Sequence, residues 1–372
     1  MSSDSFYDWA VEEASPSRIG IRDVAAAAGV SPTTVSHALS GKGRLPDETR
    51  QRIASIAEEL GYRPNVNARN LVSGKTGLLG IVVSASQETP FGLGDFDYFI
   101  QLLSAATGAA VERGRALVVE GVRSGPDAFG TVEVDGAIVV DPVSDDPLID
   151  ALDRANVPVV TTGRRDRPPA GGRPECWVDN DHVEATEEIL AHLESHGAKK
   201  VGLISTAPVT SYTRDAISGY KAWCSLHGQE PMISTVEGPI NEGAGFRAAE
   251  ELLDLADPPD AIYATLDQLA LGVLAAARAR SLTVPDDLMV AGCTDSQASA
   301  WADPPLTAVL LNPEEIGRSA VSTLIDLIEA GDSVPDPVVV PTGIVEREST
   351  ARLTGPGGVQ AAGQAGSSRD SE

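Results

Sequence analysis

The chain has 372 residues, 42% hydrophobic, 22% charged and 4% aromatic, with a formal net charge of −26. This is the composition of a folded protein with an aliphatic core and more than one domain, not of a disordered or fibrous chain. No apolar run reaches membrane-spanning length, no basic-then-apolar leader opens the chain, and so acidic a molecule does not bind nucleic acid nonspecifically as a whole.

Residues 1–17 read as a disordered acidic leader, and residues 18–61 carry three short helical patterns. In the first, Ile21, Val24, Ala25 and Ala28 fall at i, i+3, i+4 and i+7 and form one apolar face. Gly29 supplies its left-handed stop. Ser31 is a good N-cap for the second, with Pro32 at the first helical position, where its missing N–H costs nothing. Val35 and Leu39 give this helix a narrow inward stripe, and Gly41 and Gly43 end it. The third starts near Asp47, turns Ile53, Ile56, Ala57 and Leu60 inward, and stops at Gly61.

Charge singles out this module. Residues 18–77 hold nine Lys/Arg against five Asp/Glu, +4, so the remaining chain carries 19 basic against 49 acidic residues, −30. A basic module on an acidic body is the pattern of a tethered nucleic-acid reader. Helix, glycine turn and Ser-capped helix is also helix-turn-helix order. The outward residues Thr33, Thr34, Ser36 and His37 are small or polar enough for close approach to a duplex. The same run, VSPTTVSHALSGKG, also fits an ordinary surface connector.

After a linker at 62–77, aliphatic runs (LLGIVV 78–83, ALVVE 116–120, GAIVV 136–140, VPVVTT 157–162) alternate with helical patterns at 97–113 and 147–155. A second series follows: CWV 176–178, VGLIS 201–205, AIYAT 261–265 and LMVAG 288–292, with helices near 181–196, 214–228, 242–255 and 268–281. The alternation predicts an α/β protein with parallel sheets covered on both faces, and its length predicts two lobes. The Gly/Ser/Gln-rich tail, 353–372, is expected to be disordered.

Chemistry-bearing motifs are few. The five histidines (37, 182, 192, 196 and 227) are read as lacking metal-ligand spacing, and there is no GxSxG, P-loop or dinucleotide fingerprint. Neither catalysis, nor a cofactor, nor a metal is expected. Cys176, Cys224 and Cys293 are far apart and suit reduced thiols in a cytoplasm.

The stretch from Ile21 through Val83 resembles the N-terminal end of LacI/GalR-type transcriptional regulators. It carries DVA..AGVS..TVS..L, then ETR.RI....EELGYRPN, then the hinge N..AR.L. The likeness continues through TPF at 89–91, VDND at 178–181, PPLTAV at 304–309 and VEREST at 345–350, so it covers about residues 18–352. It implies a three-helix DNA-binding module, a hinge helix at 62–77 and a two-lobed core at 78–352 like periplasmic sugar-binding proteins. The implied function is that of a regulator, expected to be a repressor. As a homodimer it would bind a near-palindromic double-stranded operator under control of a small-molecule effector, with a tetramer left open.

Family positions for base contact fall on Pro32, Thr33 and His37, with Thr34 and Ser36 toward phosphates and Ser31 also counted in the DNA-binding set. In the hinge, Asn65, Ala68 and Arg69 precede Leu71, the implied minor-groove wedge. So short a helix orders only with support from DNA and its twin. A solvated linker with an incidental leucine is the alternative.

The effector site departs from the family pattern. The family arginine falls on Ala216, with Arg214 nearby; its asparagine falls on Leu266, beside Asp267; its first aspartate falls on Thr294, before Asp295. Phe91 and Asp95 are expected near the mouth, with Trp301 able to stack on a ring, while Asp179 suits a structural or lobe-bridging role. The effector is a sugar at a shifted site, or else a non-sugar or none. A freestanding solute-binding protein is the remaining reading.

Overall fold

The structure, a computed structural model, describes residues 19–40, 44–62, 75–84, 97–123, 129, 132–167, 175–207, 209–330 and 333–352. Both termini and the 63–74 segment, for which disorder and a hinge helix were expected, lie outside the described residues. The chain divides into two compact units, Met1–Thr76 and Gly77–Glu372.

The described residues of the first unit form three helices: α1 (Ile21–Ala28), α2 (Pro32–Ser40) and α3 (Asp47–Glu59). The Asp23 carboxylate accepts the Gly20 N–H at 2.8 Å and opens α1. Gly29, at φ 64°, closes it, letting the Val30 N–H turn back to the Ala25 carbonyl at 3.0 Å. Val24, Ala25, Ala28, Val35, Ala38, Ile53 and Ala57 form the core. Burying Val24, Val35 and Ile53 contributes about 1.5–3 kcal/mol each, ample for so small a module.

In the second unit, the first lobe is built from β1 (Leu78–Ser84), α4 (Asp97–Glu112), β2 (Ala116–Arg123), β3 (Gly136–Val140), α5 (Pro147–Arg154), β4 (Val159–Thr162) and β5 (Trp177–Asp179). The second lobe takes α6 (His182–Ser195), β6 (Val201–Thr206), α7 (Ser211–His227), β7 (Met232–Val236), α8 (Glu242–Leu253) and β8 (Ala261–Ala264). It continues with α9 (Asp267–Ala279), β9 (Met289–Cys293), α10 (Gln297–Ala300) and β10 (Thr307–Leu310). Then α11 (Pro313–Glu329) and β11 (Val338–Val339) return to the first lobe, before β12 (Gly343–Val345) and a 3-10 turn (Glu348–Thr350) rejoin the second.

Each lobe centres on a six-stranded sheet, in the orders β11-β5-β4-β3-β1-β2 and β12-β10-β9-β8-β6-β7. Every described pairing is parallel except β10 with β12. Helices cover both faces, which is why the central strands are unbroken apolar runs. Glycine sets one of these packings. A Cβ at Gly245 of α8 would lie 2.3 Å from the Leu269 carbonyl oxygen, and one at Gly272 of α9 would lie 2.3 Å from that of Glu242.

The chain therefore crosses between lobes three times, and the crossings are bonded together. The Val340 N–H donates to the Asp179 carbonyl at 2.8 Å, Asn180 Nδ2 to the Val340 carbonyl at 2.8 Å, and Asn312 Nδ2 to the Pro341 carbonyl at 2.7 Å. Cys176, Cys224 and Cys293 are buried and unpaired, and burial raises the Cys176 thiol to about 11, so it stays protonated. Among the described residues, no helix is long and apolar enough to cross a membrane.

Candidate nucleic-acid interface and ligand cleft

On the first unit, α2 turns Val35 and Ala38 into the core and leaves Pro32, Thr33, Ser36 and His37 exposed. Thr33, Ser36 and His37 stand at i, i+3 and i+4, so they share one outward stripe. The Ser31 hydroxyl oxygen accepts the Thr34 N–H at 3.1 Å and is paired with the Thr34 hydroxyl at 2.8 Å. Half-buried Thr34 is thus occupied in capping its own helix. The first turn of α2 presents the positive end of the helix dipole, which suits a phosphate. Arg50 Nη1 donates to the Ala38 carbonyl at 3.4 Å, bracing α3 against α2. Asn65, Ala68, Arg69 and Leu71 lie outside the described residues.

Between the lobes of the second unit opens a cleft of about 940 Å³, its mouth included. Strand ends and the loops after them supply its polar groups: Ser84, Asp141, Thr162, Asp179 and Thr206. Tyr98, Phe99, Ile240, Leu266 and Leu311 provide apolar wall. Asp179, at the first crossing, is saturated. Its Oδ1 accepts the Asn180 N–H at 2.9 Å and faces His182 Nε2 at 3.1 Å, while Oδ2 lies 3.3 Å from Arg164 Nε. The His182 ring meets Tyr212 edge-on, centroids 4.7 Å apart.

Among the described residues, Asp141 has no comparable partner set. Burial in the cleft raises its carboxyl to about 7, and the neighbouring Asp179 charge adds to the effect. Burial, then Asp141 and Asp179, likewise raise the Tyr98 hydroxyl well above its usual range. Among the described residues lining the cleft there are two carboxyl groups and one histidine but no Lys or Arg. Such walls favour a neutral, hydroxyl-rich ligand and oppose an anionic one.

Of the residues singled out from sequence, Thr294 lines the cleft. Asp267 is buried at the start of α9, where it accepts the Gln268 N–H at 2.8 Å and lines a neighbouring depression with Asp97 and Glu242. Arg214 pairs with Asp166 at 2.5 Å and donates to Ser144 Oγ at 3.2 Å. Asp295 is held by Arg347 at 2.6 Å. Trp301 is 76% exposed after α10 and is not a lining residue of the cleft. Phe91 and Asp95 lie outside the described residues. Sequence reasoning passed over Asp141, Tyr98, His182 and Tyr212. Asp141 had a signal, its place just after the buried run GAIVV, where ligands of parallel sheets bind.

Ion pairs link the lobes across the cleft. Arg164, after β4, pairs with Asp215 of α7, and Asp166 pairs with the adjacent Arg214. The Ser144 N–H reaches the Val209 carbonyl at 2.7 Å. Outside the cleft, and against the sequence expectation of no ligand spacing among the histidines, the fold gathers His192, His196 and Glu346.

Comparison with known proteins places both units. Residues 20–65 match the family profile "Bacterial regulatory proteins, lacI family", and residues 190–350 match "Periplasmic binding protein-like domain". The HTH-type transcriptional regulator CelR of Thermobifida fusca is 32% identical over 336 residues, 88% of this chain and 96% of the relative. AscG of Escherichia coli (strain K12), also an HTH-type transcriptional regulator, is 29% identical over 338 residues, 88% and 97% of the two chains. Among solved structures, the lac repressor dimer bound to operator and the anti-inducer ONPF superposes with a TM-score of 0.72 at 25% identity, covering 90% of this chain and 99% of that one. The CelR–cellobiose complex superposes with a TM-score of 0.67 at 29% identity, covering 89% and 100%. With such likeness along nearly the whole length of both partners, the protein belongs to the lacI family of bacterial regulatory proteins and is a DNA-binding transcriptional regulator, not an enzyme.

Proposed function

We propose that the protein is a cytoplasmic repressor that grips a near-palindromic operator as a homodimer and responds to an uncharged sugar held between its lobes. Residues 18–61 are the reader, 62–77 the hinge and 78–352 the effector-binding and dimerising core. The outward stripe of α2 enters the major groove, where Thr33 and His37 meet base edges and Ser36 a phosphate. Asn65, Ala68, Arg69 and Leu71 serve the hinge, with Leu71 as a minor-groove wedge.

The observation that carries the effector reading is the lining of the cleft. The Asp141 carboxyl and the hydroxyls of Ser84, Thr162 and Thr206 accept sugar hydroxyls, with no Lys or Arg among the described lining residues, while Tyr98, Phe99 and Leu266 cover a sugar's apolar face. Sugar phosphates and uronates are disfavoured because their charge would meet the Asp141 carboxyl with no Lys or Arg among the described lining residues to offset it. Cellobiose, which CelR binds in its solved complex, is the first sugar to try. The ligand regulates by preferring one lobe arrangement, and the Arg164–Asp215 and Arg214–Asp166 pairs are the contacts that differ between arrangements.

Titration calorimetry with a panel of neutral sugars, sugar phosphates and uronates tests this. Saturable binding of a neutral sugar, weakened in Asp141→Asn, is expected. Tighter binding of an anionic member than of any neutral one would refute the assignment.

A further inference from the structure

Two histidines one turn apart near the end of α6 approach Glu346, which follows β12, the last strand of the second lobe. One potential ligand atom each from His192, His196 and Glu346 lies within 4.8 Å of the other two. The imidazole rings are 4.2 Å apart, centroid to centroid, at 40°. None of the three lines the effector cleft.

Hydrogen-bond accounting decides which nitrogens carry protons. The Thr307 hydroxyl donates to the Arg347 carbonyl at 3.0 Å, so it accepts from the Thr350 hydroxyl at 2.7 Å. The Thr350 oxygen is then an acceptor for His192 Nε2–H at 2.8 Å. In the neutral ring Nδ1 then carries the lone pair, and it faces a Glu346 carboxylate oxygen at 3.4 Å. His196 Nδ1 points at the His192 carbonyl at 2.9 Å, which can only accept, so its proton sits on Nδ1 and its lone pair on Nε2. Ser195, whose hydroxyl donates to the same carbonyl at 2.7 Å, accepts from the same N–H at 3.1 Å.

A lone pair set against a carboxylate is repulsive unless a proton or a metal cation lies between them. Each ring also has its other nitrogen fixed by an oxygen, the arrangement that orients metal-bound histidines. Tetrahedral zinc, with bonds of about 2.0–2.2 Å, spaces its ligand atoms about 3.3–3.5 Å apart, the separation found between His192 and Glu346. The Glu346 side chain is 69% exposed and has room to swing the rest of the way.

We propose that His192, His196 and Glu346 bind one divalent transition-metal ion of the zinc type, with water completing the tetrahedron. Imidazole nitrogens select zinc, nickel or cobalt over magnesium or calcium. The ion ties the end of α6 to the segment between β12 and the 3-10 turn, fastening the last stretch of the second lobe.

The test uses the full chain, stripped with a chelator, and titrates Zn²⁺ against a chromogenic competitor, with Co²⁺ as spectroscopic probe. Wild type should bind one Zn²⁺ per chain and give the visible spectrum of tetrahedral Co²⁺. Glu346→Gln, on the exposed side, and His196→Gln should each weaken binding at least tenfold with unchanged circular dichroism. Uptake as tight in the double variant as in wild type, or only weak binding at many sites, would overturn the proposal.

Discussion

Asp141→Asn isolates the cleft carboxyl that, among the described residues, is weakly partnered. Its carboxyl has an ordinary value of 3.8 and sits at about 7 in the folded chain. Between those values the folded state keeps a proton that the unfolded state releases. Stability therefore falls as pH rises from about 4, and the loss is complete above about 7. Three pKa units at about 1.4 kcal/mol each set a ceiling of about 4 kcal/mol, which water entering the cleft mouth lowers. Asparagine cannot ionise, so the variant lacks this slope while keeping that of every other carboxylate. Guanidinium denaturation of both proteins at about pH 5 and about pH 8.5 should show wild type losing about 1.5–2.5 kcal/mol more than the variant. Parallel pH profiles would refute both the desolvation of Asp141 and the electronegative character assigned to the cleft.

Other consequences are simpler to read. His37→Ala should weaken binding to the specific site by about 1–3 kcal/mol in a mobility-shift titration and leave binding to unrelated duplex unchanged. Gly245→Ala should cost about 1–3 kcal/mol in thermal or chemical denaturation, because its Cβ would press on the Leu269 carbonyl and part α8 from α9. Arg214→Ala removes a half-exposed cross-lobe pair, so it should barely move stability yet weaken sugar binding several-fold in calorimetry.

Much of the fold is written locally. Ile21, Val24, Ala25 and Ala28 announce α1, Gly29 its end, and runs such as GAIVV their buried strands. The strands β11 and β12, of two and three residues, are too short for any periodicity to register. For α11 the signal was present, with Ile316, Ala320, Val321 and Leu324 all buried, but no local pattern says that this helix belongs to the first lobe. Three crossings follow from that placement, and they arise from packing rather than sequence order. The cleft is less legible for the same reason. Thr294 could be reached by counting along a motif, whereas Asp141, Tyr98 and His182 meet only after two sheets have folded. Arg214 and Asp295 are drawn in as ligand anchors by their places beside or on the family's motif positions. Here Asp166 and Arg347 hold them.

Fluorescence anisotropy of the full chain on a labelled near-palindromic duplex tests the regulator account most directly, run beside a scrambled duplex over a salt series with and without the sugar found by calorimetry. The account predicts two protomers per duplex, a clear preference for the palindrome, weakening of both complexes as salt rises, and a shift of the palindrome affinity when sugar is present. Equal binding to both duplexes, or a palindrome affinity that a saturating sugar leaves unmoved, would contradict it.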